Sequence, residues 1–214
     1  LTGRLCDAET LRVLRDEADR LIGASPQRGG FRHGLQHSEI FRKLATTPAL
    51  LEPITAILGD GARAVKLTGF DKIPGANWKV PWHQDLTITV KARYNVPGFG
   101  PWTEKDGLPH VQPPVEVLQS IVALRLHLDD TTVDNGALRL LPGTHAFGKL
   151  NAEQIRHHIA ATQEVSCPVS AGHAMLMSPL LLHASAPAIH PRHRRVLHLE
   201  FTKETLDDGL AWAT

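Results

Sequence analysis

Pro81-Trp82-His83-Gln84-Asp85-Leu86-Thr87-Ile88-Thr89-Val90 sets an imidazole and a carboxylate two positions apart at the head of an alternating run. In an extended strand residues i and i+2 share a face. His83 and Asp85 can therefore grip one metal ion while Leu86, Ile88 and Val90 turn the other way. The same split recurs along the chain. Ala64 to Phe70 sets Val65 and Leu67 against Lys66 and Thr68, and Ile121 to Asp129 sets Leu124, Leu126 and Leu128 against Arg125, His127 and Asp129. Near the end Leu197, Leu199 and Phe201 oppose Arg194, Val196 and His198. Each of these strands has one oily face and one face carrying chemistry.

Alternation of this kind also suits an antiparallel sheet with one wet face, or a sandwich with its polar residues outside. The N-terminal third supplies a different answer. Asp7 to Ile22 carries Ala8, Leu11, Leu14, Ala18 and Leu21 at helical spacing, with Asp7 as N-cap. Ser38 to Leu44 and Pro48 to Leu58 read as two more helices, the last stopped by Gly59-Asp60-Gly61. Three helices can cover the oily faces and leave the polar faces lining a barrel interior. With Gly136 to Pro142, Gln163 to Cys167, His173 to Met177 and Leu181 to Ser185 the strands number about eight, as a jelly roll requires. The expected fold is mainly β with flanking helices: a cupin-like double-stranded β-helix with the N-terminal helices packed on one sheet.

Two segments interrupt the strands. Lys91 to Glu116 is rich in Pro and Gly and too long for an ordinary connection, which makes it a candidate lid or substrate loop. Asn151 to Thr162 is helical in pattern and follows the turn Pro142-Gly143-Thr144-His145. A chain of 214 residues with 42% hydrophobic content suits one domain, residues 1–214, with a helical part over 1–61 and a β core over 62–214.

Lys and Arg total 23 against 22 Asp and Glu, so no excess of charge marks a nucleic-acid or membrane-surface binder. Cys6 and Cys167 lie far apart and form no CxxC pair, which suits a reducing compartment. The start lacks a basic segment followed by an apolar one, and no apolar run approaches the roughly 18 residues of a membrane helix. A cytoplasmic enzyme or binding protein acting on a small molecule is the expectation.

Spacing alone does not choose the metal pair. The chain holds four His-x-acid triplets, at His37, His83, His127 and His198, where chance predicts roughly one. His37 and Glu39 sit at a predicted helix start, where i and i+2 diverge by about 200°. His198 and Glu200 lie on the last strand with no histidine after them. His127 and Asp129 have the right strand parity and remain a rival to His83 and Asp85. A third ligand is offered by His183, a polar residue in the apolar run Leu180 to Ala186 that must find a partner if buried.

The basic cluster Arg192-His193-Arg194-Arg195 follows, and Arg194 shares a face with His198. Two histidines and a carboxylate on one side of an ion leave three positions open, as in non-haem Fe(II) oxygenases. Tetrahedral zinc would also accept these ligands. A neighbouring arginine fork suits a bidentate carboxylate ligand and favours iron with an oxo-acid.

The ordered set Pro81 to Asp85, Arg125 to Asp130, Asn135 to His145, His183-Ala184-Ser185 and Arg194 to Phe201 resembles the phytanoyl-CoA dioxygenase (PhyH) family of Fe(II)- and 2-oxoglutarate-dependent oxygenases. The resemblance runs from about Val65 to the C-terminus and implies a double-stranded β-helix. It implies that His83, Asp85 and His183 are the iron ligands and that Arg194 holds the distal carboxylate of 2-oxoglutarate; beside the resemblance, Lys66 or Thr68 is the expected support for that carboxylate. Dioxygen would be the third reactant. Hydroxylation of an unactivated C–H, with release of succinate and CO2, is the implied activity. Asp85 argues against the related halogenases, which carry a small residue there.

Arg125 on the inner face, with Arg93 and Trp102 in the long loop, are the candidate substrate contacts. A structural ion pair, a solvated charge and a hydrophobic plug are their respective alternatives. Two other functions stay open: a jelly-roll binding protein without turnover, and a cupin-like metalloenzyme that uses no cosubstrate.

Overall fold

The computed structural model describes residues 1–23, 29–206 and 209–214. Helix α1 (Ala8–Gly23) starts where Asp7 Oδ1 accepts the Thr10 amide at 2.8 Å. A short turn, α2 (Gly34–His37), precedes α3 (Glu39–Leu44), whose first turn is capped by Ser38 Oγ accepting from the Phe41 amide. Helix α4 (Pro48–Leu58) opens on proline, where a missing N–H costs nothing, and ends at Gly59 with φ 82°.

Eight strands form the core. β2 (Arg63–Phe70), β12 (Val196–Thr202), β7 (Val122–His127) and β10 (Ala174–Met177) lie side by side in one antiparallel sheet, with β1 (Gly30–Phe31) on its outer edge. β3 (Val80–His83), β11 (His183–Ser185), β8 (Leu138–Leu140) and β9 (Val165–Cys167) make the second sheet. α5 (Val115–Gln119) leads into β7, and α6 (Ala152–Ala161) lies between β8 and β9.

The oily faces read from the sequence meet the helices. Leu67, Leu124, Leu126, Leu197, Leu199 and Phe201 pack in one cluster with Leu11, Leu14, Phe41, Leu50 and Ile54. Each such side chain, fully buried, contributes about 1.5–3 kcal/mol. This cluster fixes the first sheet's orientation and turns Lys66, Thr68, Arg125, His198 and Glu200 toward the second sheet. A further link is ionic: Arg195 holds Asp19 of α1 at 2.6 Å and Asp129 at 2.9 Å.

Two expectations are corrected. The run from His83 to Val90 is not one strand, because β3 ends at His83 and β4 (Ile88–Thr89) joins a different sheet. The break is enforced by Gln84, whose buried amide donates to Gly148 O and Leu180 O while its oxygen accepts from the Leu150 amide. The long loop over 91–116 is largely ordered: β5 (Trp102–Lys105) and β6 (Leu108–Val111) form a hairpin paired with β4. Its turn is Asp106-Gly107, both at positive φ (52° and 79°), as a two-residue hairpin turn demands. Gly30 opens β1, where a Cβ would lie 2.4 Å from Gly69 O. No described helix is long and apolar enough to cross a membrane.

Candidate metal and cosubstrate site

His83 ends β3, His183 begins β11, and the two are paired directly across the ladder, with ring centroids 4.2 Å apart. Asp85 lies two residues beyond β3, its amide donating to Pro179 O at 2.8 Å. Ligand atoms of His83, Asp85 and His183 all lie within 4.8 Å of one another. Both histidines use Nδ1 for the carbonyl two residues before them, Pro81 O and Leu181 O, each at 2.8 Å. An Nδ1–H committed to backbone leaves the Nε2 lone pair free, the tautomer a metal ligand needs. Those Nε2 atoms lie 3.7 and 3.5 Å from the Asp85 oxygens.

Electrostatics favour the same assignment. Burial pushes the His183 imidazole down to about 4, so it is neutral at physiological pH and can donate its lone pair. Burial by itself would raise the Asp85 carboxyl, yet His183, His198, Lys66 and His83 outweigh it and hold Asp85 well below the usual carboxylate range. Asp85 Oδ2 is nevertheless buried without a hydrogen-bond donor. An ionised oxygen with no donor, facing two Nε2 atoms whose Nδ1 partners are committed to backbone, fits a divalent cation.

The second part of the site is cationic. A cavity of about 230 Å³ is lined by the three clustered residues and by Lys66, Thr68, Lys72, Arg125, Arg194, His198 and Glu200. Lys66 is engaged by Glu200 at 2.7 Å and by Thr87 O, and its charge is held above the usual lysine range because Glu200 and Asp85 overcome the cost of burial. Arg125 donates to His198 Nδ1 at 3.1 Å, which turns the His198 Nε2 proton toward Asp85 and Glu200. Arg194 donates to Gly136 O at 2.9 Å. Gly136 has φ 83°, and a Cβ there would lie 2.7 Å from Ala186 O, so this carbonyl can be presented only by glycine.

The Nε atoms of Arg125 and Arg194 are buried and lack an acceptor. Burial, reinforced by the neighbouring Arg125, pushes Arg194 down to about 10, and burial with Arg194 pushes Lys72 down to about 8. With Glu200 spent on Lys66 and Asp85 on the metal cluster, the three remaining cations have no carboxylate of their own within the cavity. A dicarboxylate would supply the missing acceptors.

The structure thus brings together His83, Asp85, His183, Arg194, Lys66, Thr68 and Arg125. Arg93 and Trp102 are elsewhere. Trp102 packs on the cluster of Ile88, Val90 and Val111, and the Arg93 guanidinium lies 5.6 Å from its ring centroid, so the pair is a packed plug on the hairpin. The rival His127 and Asp129 do not converge: His127 Nδ1 meets Thr131 Oγ1, while Asp129 is held by Arg15 and Arg195. Among the described residues one other group has metal-ligand spacing, Asp19, Asp71 and His193, but Arg195, the Arg194 amide and mutual pairing already engage it.

His198, Glu200 and Lys72 were not singled out as site residues from the sequence. The inward parity of β12 was the available signal for the first two; for Lys72, the acidic-basic pair Asp71-Lys72 reads as solvated.

Buried His127 carries a pH consequence. Burial pushes its imidazole from 6.5 down to about 3, so the unfolded chain binds a proton in that window that the fold refuses. Stability should therefore fall as pH drops from 6.5 toward 3, by up to about 1.4 kcal/mol per pH unit from this group. Urea unfolding at pH 7 and pH 5 should show a loss that is smaller in His127→Gln by about one proton's worth. Equal losses in the two proteins would mean that His127 does not carry the effect.

The sequence model of the phytanoyl-CoA dioxygenase (PhyH) family matches residues 2–196. The chain belongs to the PhyH family. Among curated proteins, L-proline trans-4-hydroxylase of Streptomyces griseoviridis is 25% identical over 195 residues, covering 78% of this chain. The chain spans 64% of the length of that relative. Solved structures show the same fold. The epimerase SnoN in complex with Fe3+, alpha ketoglutarate and nogalamycin RO superposes with TM-score 0.71 at 17% identity, covering 95% of this chain and 78% of SnoN. AviO1 of Streptomyces viridochromogenes Tue57 superposes with TM-score 0.66 at 21% identity, covering 94% of this chain and 87% of AviO1. Membership of the PhyH family agrees with the double-stranded β-helix and with the position of the ligand cluster between its sheets.

Proposed function

We propose that this PhyH-family chain is an Fe(II)- and 2-oxoglutarate-dependent dioxygenase that hydroxylates an unactivated C–H of a small molecule. The observation that carries the reading is the juxtaposition, in one cavity, of the His83, Asp85 and His183 cluster with two buried guanidinium groups whose Nε atoms lack acceptors and which have no carboxylate of their own in the cavity. A divalent ion on the cluster adds further positive charge to a cavity already rich in cations. A dianionic cosubstrate offsets it, and a metalloenzyme without cosubstrate would leave the charges of Arg125 and Arg194 uncompensated.

His83 and His183 hold the metal through Nε2, and Asp85 holds it through its carboxylate. Arg194, positioned by Gly136 O, pairs with the distal carboxylate of 2-oxoglutarate. Arg125 braces His198 beside Asp85, and Lys66 neutralises Glu200 so that no second carboxylate competes for the ion. When bound, iron with 2-oxoglutarate and dioxygen supplies the oxidant that takes hydrogen from substrate, leaving succinate and CO2. The protein's own contribution is to orient cosubstrate and substrate and to keep water out.

Anaerobic titration with Fe(II) and 2-oxoglutarate tests this directly. A weak visible charge-transfer band should develop and saturate, and its absence at saturating cosubstrate would sink the proposal.

A further inference from the structure

A second chamber, of about 500 Å³, adjoins the first and shares Lys66, Thr68, Phe70, Trp78 and Asp85 with it. It lies under the tip of the β5–β6 hairpin. The tip is clamped to the N-terminal segment twice: Arg32 pairs with Asp106 at 3.1 Å, and His33 Nε2 donates to Lys105 O at 2.9 Å. His33 adopts a left-handed backbone, φ 59°, to make that second contact.

The chamber's ionisable groups are one-sided. Arg32, Lys66 and Lys105, with the imidazoles of His33 and His110, face it, against Asp85 as the only acid among its described lining residues. Most of these groups are accounted for: Lys66 by Glu200, Arg32 by Asp106, and His33 by the Lys105 carbonyl. Two groups remain. His110 is 2% exposed and its Nδ1 is buried without a partner, while Nε2 has only Thr89 Oγ1 at 3.4 Å. The Lys105 ammonium, at the hairpin tip, has no ion pair or side-chain hydrogen bond among the described residues, and Lys66 and Arg32 add to burial in pushing its pKa down. Phe31, Phe70 and Trp78 supply apolar wall.

Resting on the dioxygenase reading, we propose that the molecule oxidised here is a compact carboxylic acid with an apolar body. Its carboxylate is received by Lys105 and the His110 Nδ1–H, with Arg32 adding charge from its pair with Asp106. One free ammonium and one neutral imidazole match a singly charged carboxylate. A phosphate would bring a second charge for which the chamber has no second free cation. The volume suits a small molecule and leaves no room for a polymer inside the chamber.

The test uses the full chain with Fe(II) and 2-oxoglutarate under anaerobic conditions. The probes are L-proline, cyclopentanecarboxylate and benzoate, each beside its primary amide, and the readouts are perturbation of the charge-transfer band and calorimetry. At least one acid should bind about 10-fold or more tighter than its amide. Lys105→Gln keeps the backbone carbonyl that His33 needs. It should erase the preference for acid over amide while leaving the Fe(II) and 2-oxoglutarate titration unchanged. Failure of all three acids to bind, equal binding of amides, or an undiminished preference in Lys105→Gln would each overturn the proposal. Absence of the band itself counts against the dioxygenase reading, and calorimetry still reports whether the chamber selects acids.

Discussion

Asp85→Ala is expected to lower Fe(II) affinity by more than about 100-fold and to abolish substrate-coupled succinate release. Loss of a supporting residue around a metal typically costs 10–100-fold, and loss of a ligand should cost more. The geometry makes Asp85 hard to replace: its oxygens lie 3.7 Å from His83 Nε2 and 3.5 Å from His183 Nε2, and buried Oδ2 accepts no hydrogen bond. Removing it should not unfold the protein, since Lys66 keeps Glu200 and neither histidine depends on Asp85 for its Nδ1 bond. Anaerobic Fe(II) binding read beside urea unfolding separates the two effects. Asp85→Asn, which keeps the shape and removes the charge, should fall between the alanine variant and the native protein. Activity retained in Asp85→Ala would show that another carboxylate serves the metal. Asp129 is a poor substitute, because Arg15 and Arg195 already hold it.

What could be read from the chain and what could not divides by range. Strand parity is local, so the separation of Leu124 and Leu126 from Arg125, or of Leu197 and Leu199 from His198, was legible and orients both faces of the first sheet. The pairing of His83 with His183 brings together residues a hundred positions apart. Its members were readable by type, but their contact depends on β11 lying between β3 and β8.

The break after His83 was not legible, because the residues that impose it, Gly148, Leu150 and Leu180, are remote and act through the Gln84 amide. The hairpin left one local signal, the turn pair Asp106-Gly107, but the surrounding prolines and glycines mask the short strands beside it, and the segment reads as a loop. His198 and Glu200 were set aside for want of a later histidine. That argument concerns metal ligation and has no bearing on a supporting role. A central strand places both beside Asp85 without making either a member of the cluster.

Arg194 permits a sharper distinction between a residue that binds and one that merely holds the fold together. Arg194→Ala should weaken 2-oxoglutarate by about 30-fold to 5,000-fold, since removing one member of a buried, hydrogen-bonded charge pair costs about 2–5 kcal/mol. Arg194→Lys should recover little, because an ammonium cannot present the paired N–H donors of the guanidinium. In the unliganded protein the expectation runs the other way.

Arg194 is 3% exposed, its Nε lacks an acceptor, and the nearby charge of Arg125 opposes its own. Burial of a cation under those conditions is unfavourable, so its loss should leave stability unchanged or raise it, apart from the single bond to Gly136 O. Native protein should gain thermal stability on addition of 2-oxoglutarate with Fe(II), by mass action on the folded state, and Arg194→Ala should not. A structural arginine would show the opposite pattern, with lower stability of the unliganded variant and an unchanged cosubstrate titration. That result would remove Arg194 from the cosubstrate site and leave Arg125, the other guanidinium lining the cavity with an unpartnered Nε, as the group that meets the dicarboxylate.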